Sequence, residues 1–211
     1  MEFEIKEWPH TALEQYAAIP ISFEVRSIFD VELSGANFTL SGANFTLSGA
    51  NFTLSGANFT LSERRLDQPY TKDYDAIKGN NLLEWTTHFD LSNWGLLVAE
   101  DKGQLLGGVL LSFDVPEVEM FEGRRDLAVL WDIRVHPDSR GYGVGSALLR
   151  AAEAWARARG CCQLKIETQN INVPACRFYE QNGYVLTFVT PDAYPDLPEE
   201  TQMLWYKTLR M

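Results

Sequence analysis

The sequence predicts an α/β fold, more closely an α+β mixed sheet, on three observations. Several segments alternate apolar and charged residues, the period of half-buried strands. Residues 95–100 and 104–113 flank Asp101-Lys102-Gly103, a hairpin turn by composition. Two helical patterns follow late in the chain, with a short strand between them.

In order, Phe3 and Ile5 alternate with charged neighbours and open a first strand. Residues 10–18 read as a short helix that ends before Pro20. Phe23, Val25, Phe29, Val31 and Leu33 share one parity, and Glu24, Arg26, Asp30 and Glu32 the other, so this stretch is a half-buried strand. A helix is expected over 74–88. After the hairpin, 126–135 is a strand rich in Leu, Val and Ile. Residues 143–159 form the clearest helix, with Val144, Ala147, Leu148, Ala151, Trp155 and Ala158 on one face and Gly160 ending it. A strand at 164–167 leads to Asn172, an N-cap followed by Pro174 in the first turn, and that helix stops at Gly183. Segments 184–189 and 203–207 close the sheet. The order β-β-β-α-β-α-β-β is that of a mixed sheet.

A chain of 211 residues suits a single domain, 1–211, that buries a core without metals or disulfides. An acidic net charge of −11 disfavours nucleic acid and favours a cationic partner, although such charge also serves solubility alone. No apolar run approaches the roughly 18 residues of a membrane span, and MEFEIKEWPH has no basic or apolar leader. Cys161, Cys162 and Cys176 do not make a disulfide framework, and no CxxC or HExxH pattern marks a metal site. A reduced cytoplasmic location is expected.

One feature is unusual. SGANFTL occurs four times, at 34–40, 41–47, 48–54 and 55–61. Gly, Asn and Thr in every copy make poor helix, so strand-turn units with Ser-Gly as punctuation are expected. An odd period flips strand parity from copy to copy, which works against one continuous buried face. The extra copies therefore read as a duplicated surface excursion, and the Asn-Phe-Thr sequon in each as accidental.

The chemistry centres on Arg140-Gly141-Tyr142-Gly143-Val144-Gly145-Ser146, between a strand and the strong helix. Glycines there let an anion approach backbone N–H groups that the helix leaves unpaired, and the helix dipole adds positive potential. Such a turn holds phosphate or pyrophosphate. It is neither GxxxxGK[ST] nor GxGxxG, which disfavours a P-loop or dinucleotide fold.

The pattern Arg140-x-x-Gly143-x-Gly145 after a strand resembles the acetyl-CoA pyrophosphate loop of the GNAT superfamily. Ile166-Glu167-Thr168-Gln169-Asn170-Ile171-Asn172-Val173-Pro174-Ala175-Cys176-Arg177-Phe178-Tyr179 resembles that family's next strand and helix. Phe29-Asp30-Val31-Glu32-Leu33-Ser34, Pro69-Tyr70-Thr71-Lys72-Asp73-Tyr74 and Glu200-Thr201-Gln202-Met203-Leu204-Trp205-Tyr206 resemble its streptothricin acetyltransferase branch. The likeness runs from about residue 20 to 206, interrupted by the repeats.

The resemblance implies a central, mostly antiparallel twisted sheet that splays between 126–135 and 164–167 to admit acetyl-CoA. It implies an N-acetyltransferase that acts on an amine of a cationic small molecule, such as a streptothricin-like antibiotic. Arg140, Gly141 and the backbone amides of Tyr142, Gly143, Val144, Gly145 and Ser146 would hold the pyrophosphate. Ile133 and Val135 would pair with the pantetheine arm, and Asn172 would contact the cofactor. Tyr179, two helical turns beyond Asn172, would protonate the departing thiolate.

A lysine-like amine has a pKa of about 10.4, so only roughly one in 2500 is neutral at pH 7 and a proton must be collected. Asp132 is the candidate base, with alternation turning it away from Trp131 and Ile133. Trp131 itself departs from the family pattern, in which an acidic residue often stands at this position. Asp73, Glu84, Trp131 and Glu167 are candidate substrate contacts. Other readings remain open: Tyr179 as a core aromatic, Asp132 as the partner of an arginine or of the substrate cation, and Arg134 and His136 as phosphate contacts or exposed strand-end residues. At the level of function the alternatives are a peptide amine acetyltransferase and a non-catalytic acyl-CoA-binding module whose repeats self-associate; a homodimer is open to each.

Overall fold

The computed structural model describes residues 2–33, 44–48, 51–56, 59–85, 88–115 and 118–209. β1 (Glu4–Trp8) is followed by a 3-10 turn and α1 (Leu13–Ala17), which buries Leu13 and Tyr16. β2 (Phe23–Leu33) carries the expected alternation at Val25 and Phe29, both buried, and loses it by Leu33, which is exposed.

The described repeat residues form β3 (Asn44–Ser48), β4 (Asn51–Gly56) and the start of β5 (Phe59–Lys72), paired antiparallel in sequence. Strand-turn units are therefore what the described parts of these copies make, and they extend a sheet in the order β2-β5-β4-β3. The register pairs Phe45 with Leu54, and Leu54 with Leu61. An odd period flips parity between copies, and the antiparallel pairing of successive strands flips it back. Leu54 and Leu61, the last residues of their copies, thus stand opposite one another in the register. The first copy, 34–40, lies outside the described residues.

The helix expected over 74–88 is reduced to one turn, α2 (Leu82–Trp85), with 86–87 outside the described residues. The physical reason lies in local capture of the backbone. The Asp73 carboxylate accepts the Asp75 N–H at 3.1 Å, Gly79 takes φ +82, and the Asn81 side chain accepts the Leu83 N–H at 2.9 Å.

β6 (Trp94–Asp101) and β7 (Gln104–Phe113) make the predicted hairpin, closed by Lys102 and Gly103 at φ 50 and 84. Two consecutive left-handed residues define a type I′ turn, whose twist suits the strands. β8 (Leu127–Val135) pairs antiparallel with β7. α3 (Val144–Ala158) buries Val144, Leu148, Leu149, Ala152, Trp155 and Ala156, whereas Ala158 is exposed. The stripe is the expected one rotated by about one position, because 3.6 residues per turn drifts off a fixed spacing. β9 (Gln163–Gln169), α4 (Val173–Gln181), β10 (Val185–Thr190) and β11 (Gln202–Thr208) complete the mixed α/β, mostly antiparallel fold.

The chain divides into two compact units. One comprises Met1–Phe23, Asp73–Lys165 and Thr208–Met211. Within it β1, β6, β7 and β8 lie side by side, and Leu13, Tyr16, Ile19, Leu82, Trp94, Leu96, Val98 and Leu110 form a core against one sheet face. The other comprises Glu24–Lys72 and Ile166–Lys207, holding the repeat-bearing sheet, α4 and the β10–β11 pair. Its buried Asn170 ties the backbone of β2 to Thr201: Nδ2 donates to the Phe29 carbonyl at 3.0 Å, and Oδ1 accepts the Thr201 N–H at 2.8 Å. No described helix is long and apolar enough to cross a membrane.

Candidate active site

In the first unit the site is built on the end of β8. Leu110 pairs with Asp132 and Leu111 with Leu130, so Trp131 is the extra residue of a β-bulge. A bulge re-aims side chains. Trp131 and Asp132 consequently face the same side, contrary to simple alternation. The Trp131 indole stacks on Trp94 at 5.2 Å, lies 6.2 Å from the Phe89 ring and donates to Ser112 Oγ. Asp132 accepts from the hydroxyl of Tyr16, a member of the same core that Trp131 packs against.

Asp132 is buried and paired. Arg134 Nε donates to its Oδ1 at 2.9 Å and Nη2 to its Oδ2 at 3.2 Å. The same guanidinium grips Asp75 through Nη1 and Nη2, at 2.7 and 2.9 Å, and donates to the carbonyls of Ala17 and Ile19. Burial works against the charge of Arg134, but the Asp132 and Asp75 carboxylates more than offset it and raise its pKa above the usual range. Arg134 is therefore the hub of a buried network and not an exposed strand-end residue. Asp73, expected as a substrate contact, is exposed and caps the turn that delivers Asp75. Glu84 is exposed on α2.

The loop beyond β8 is preorganised. His136 N–H donates to the Leu106 carbonyl at 2.8 Å, and its Nδ1 accepts the Asp138 N–H at 3.3 Å. Arg140 Nε returns to the Val135 carbonyl at 3.1 Å, which anchors the loop to the strand end. Gly141 and Gly143 take φ 80 and 83, and added Cβ atoms would meet nothing within 4 Å. Glycine is needed here for conformation and not for space. Gly143 is the N-cap of α3 and supplies no side-chain acceptor, and the Ala147 N–H makes the helix bond to its carbonyl at 3.0 Å. The N–H groups of Val144, Gly145 and Ser146 thus belong to an uncapped first turn, where an anion is favoured. Tyr142 is 61% exposed beside them.

In the second unit β9 leads into α4. Asn172 caps the helix as expected, its Oδ1 accepting the Ala175 N–H at 3.2 Å. Tyr179 is buried among Phe178, Tyr184 and Trp205, with ring centroids 5.5, 6.0 and 6.3 Å away. Glu167 is partly exposed. Its Oε1 accepts the Tyr194 hydroxyl at 2.7 Å and its Oε2 accepts Gln202 Nε2 at 2.7 Å, while Gln169 Nε2 donates to the Tyr194 oxygen at 3.0 Å. Burial first, then the adjacent Glu167 carboxylate, push the Tyr194 phenol up. Among the described residues no group of His, Cys, Asp and Glu is arranged to hold a metal ion.

The Acetyltransferase (GNAT) family pattern matches residues 59–184, more than half of the chain. The chain belongs to the GNAT acetyltransferase family. This GNAT enzyme is 29% identical over 187 residues to the streptothricin acetyltransferase of Escherichia coli, covering 87% of this chain and 84% of that one. It is 40% identical over 81 residues to streptothricin acetyltransferase A of Bacillus subtilis (strain 168), 37% of this chain and 47% of that protein, so the match spans about half that relative's length. A solved Bacillus anthracis str. Ames structure in complex with acetyl coenzyme A has a TM-score of 0.71 and 23% identity over 100% of both chains, a likeness of fold. The GNAT match takes in the 140–146 loop, Asp132, Glu167, Asn172 and Tyr179.

Sequence reading did not find Tyr16, Asp75 or Tyr194. Tyr16 and Asp75 lie 116 and 59 residues from the β8 partners they bind, and Tyr194 lies 27 from Glu167. No local spacing signals such pairings. Arg134 carried the one usable clue, since alternation puts it on the same face as Asp132.

Proposed function

We propose that this GNAT enzyme transfers the acetyl group of acetyl-CoA to an amine of a cationic small molecule of the streptothricin type. The observation that carries the reading is the alignment with the Escherichia coli streptothricin acetyltransferase over 87% of the chain. The acidic net charge of −11 supports a cationic substrate.

The residues fit acetyl-CoA: two left-handed glycines precede an uncapped 15-residue helix, a cradle for pyrophosphate. When bound, acetyl-CoA supplies an activated thioester. The amides of Tyr142, Gly143, Val144, Gly145 and Ser146 hold its diphosphate, with Arg140 and Gly141 shaping the loop. The backbone of Ile133 and Val135 orients the pantetheine arm, and Asn172 contacts it. Tyr179 Oη delivers a proton to the leaving sulfur. Trp131 offers the substrate an aromatic wall. Asp132 acts through Arg134, fixing the end of β8, since its two oxygens are already engaged.

The test is thiol release from acetyl-CoA against streptothricin, an aminoglycoside, spermidine, free lysine and a short peptide. Selective turnover of streptothricin is expected. Turnover of the peptide alone would move the assignment to a protein amine.

A further inference from the structure

We infer that two copies of this chain associate edge to edge through the repeat sheet. The outermost SGANFTL strand of one copy pairs antiparallel with the same strand of the other, and a two-fold axis passes between their threonines. The association is independent of which amine is acetylated, since it uses no residue of the candidate active site.

The sheet has a rooted side and an open side. In the order β2-β5-β4-β3 the fourth repeat lies at the start of β5, where Phe59 and Leu61 are buried. From there β4 and then β3 extend outward, and β3 ends the series among the described residues. Whichever copy stands outermost carries the same seven residues. A strand at the end of a sheet presents unpaired N–H and C=O groups, and main-chain hydrogen bonds supply the affinity of an added strand.

The fit is already present within one molecule. β3 and β4 carry copies of one heptapeptide, so their pairing is a meeting of identical sequences. Asn44 stands opposite Ser55, Phe45 opposite Leu54, Thr46 opposite Thr53, Leu47 opposite Phe52 and Ser48 opposite Asn51. In residue types the series is Asn–Ser, Phe–Leu, Thr–Thr, Leu–Phe, Ser–Asn, the same from either end. Two β3 strands from different molecules reproduce all of these pairs with Thr46 opposite Thr46. Such a self-complementary contact is what a closed two-fold dimer requires.

Charge selects this edge over others. Copies of a chain with net charge −11 repel one another. Residues 34–62 hold no Lys, Arg, His, Asp, Glu or Pro, so the charges and prolines that guard edge strands are missing from the repeats. The opposite edge is guarded. β2 carries Glu24, Arg26, Asp30 and Glu32, and its backbone at Phe29 is occupied by Asn170. Asn170 Nδ2 donates to the Phe29 carbonyl at 3.0 Å, and the Phe29 N–H donates to the Asn170 carbonyl at 3.0 Å. With that edge taken, growth stops at two chains. Joining two four-stranded sheets stays within the size of open twisted sheets.

The test is sedimentation velocity over a wide range of concentration, with thermal unfolding as a check that each protein is folded. The proteins are wild type, Thr39→Lys, Thr39→Glu, Thr46→Lys, Thr46→Glu and the chain without 41–47. Wild type is expected to pass from one chain mass to two as concentration rises. At the position of the outermost copy, Lys or Glu alone should weaken the dimer at least about tenfold, because like charges then face each other across the axis. Mixing the Lys and Glu variants of that position should restore it as a heterodimer. The chain without 41–47 should dimerise like wild type, because an identical strand remains outermost. A wild type that stays monomeric at its highest soluble concentration, or that grows past two chains, overturns the inference. So does a dimer that both folded Lys variants form as tightly as wild type. If the charged variants unfold, hydrogen exchange of wild type decides: protection of the Asn44–Ser48 amides that rises with concentration supports the inference, and protection independent of concentration overturns it.

Discussion

Arg134 holds Asp132 by two parallel contacts, Nε to Oδ1 at 2.9 Å and Nη2 to Oδ2 at 3.2 Å, while its outer nitrogens reach Asp75. The pair is almost wholly enclosed, with side-chain exposures of 2% and 3%. Breaking such a pair leaves a charge without a partner. Arg134→Met should therefore cost about 3–5 kcal/mol in denaturant unfolding. Asp132→Asn combined with Arg134→Met should cost less than the two separate losses added together, because the residues share one network. Strict additivity would mean that the contacts are energetically idle.

Gly141 and Gly143 should tolerate Ala poorly for a backbone reason. Each left-handed residue given a Cβ costs roughly 1–2 kcal/mol, although space is open around both. Gly143→Ala is expected to weaken acetyl-CoA binding about tenfold, the equivalent of 1.4 kcal/mol. Calorimetry with acetyl-CoA checks this, and unchanged affinity would remove the loop from the diphosphate site.

Tyr179→Phe keeps the ring that packs on Tyr184 and Trp205 and deletes the hydroxyl proposed as the proton donor. The expected result is a fall in kcat of about 100-fold or more at similar acetyl-CoA affinity. A loss of stability with kcat retained would make the tyrosine a core aromatic only.

The fold was legible wherever one local signal decided an element. Asp101-Lys102-Gly103 turned as its composition required, Asn172 capped α4, and Gly160 and Gly183 followed their helices with φ 80 and 82. Where local chemistry competed with periodicity, periodicity lost, as in the Asx and Asn caps that reduced the expected helix to α2. Alternation failed at Trp131 because a bulge is a property of two paired strands and not of one segment. Asp132 was visible as a buried acid on a strand, but its occupancy by Arg134 and Tyr16 was not, since Tyr16 is 116 residues distant.

The cysteines give a pH prediction. Burial, with the Asp126 carboxylate adding to it, pushes the Cys161 thiol up to about 11 from 9.0. The folded value exceeds the unfolded one, so this contribution to stability is complete below pH 9 and is lost as pH rises toward 11. Cys162 is also raised, by its hydrogen bond to Asp126 and then by burial. Urea midpoints should fall across that window, and Cys161→Ala should flatten the fall. An unchanged slope in the variant would assign it to other groups.

The repeats should be removable in whole copies. The described copies add strands in one antiparallel series, so deleting 41–47 leaves an identical segment to follow. Thiol release with the preferred amine should remain within about twofold, since whole surface insertions are well tolerated. Loss of turnover in a folded deletion variant would give the insertion a part in shaping the site.

The assignment of substrate is tested most directly by competition. Streptothricin and a lysine-containing peptide, at equal concentration, share one reaction with limiting acetyl-CoA, and the products are quantified by mass spectrometry. Acetyl-streptothricin should take nearly all of the acetyl groups. Acetyl-peptide as the main product would contradict the small-molecule reading while leaving the GNAT fold in place.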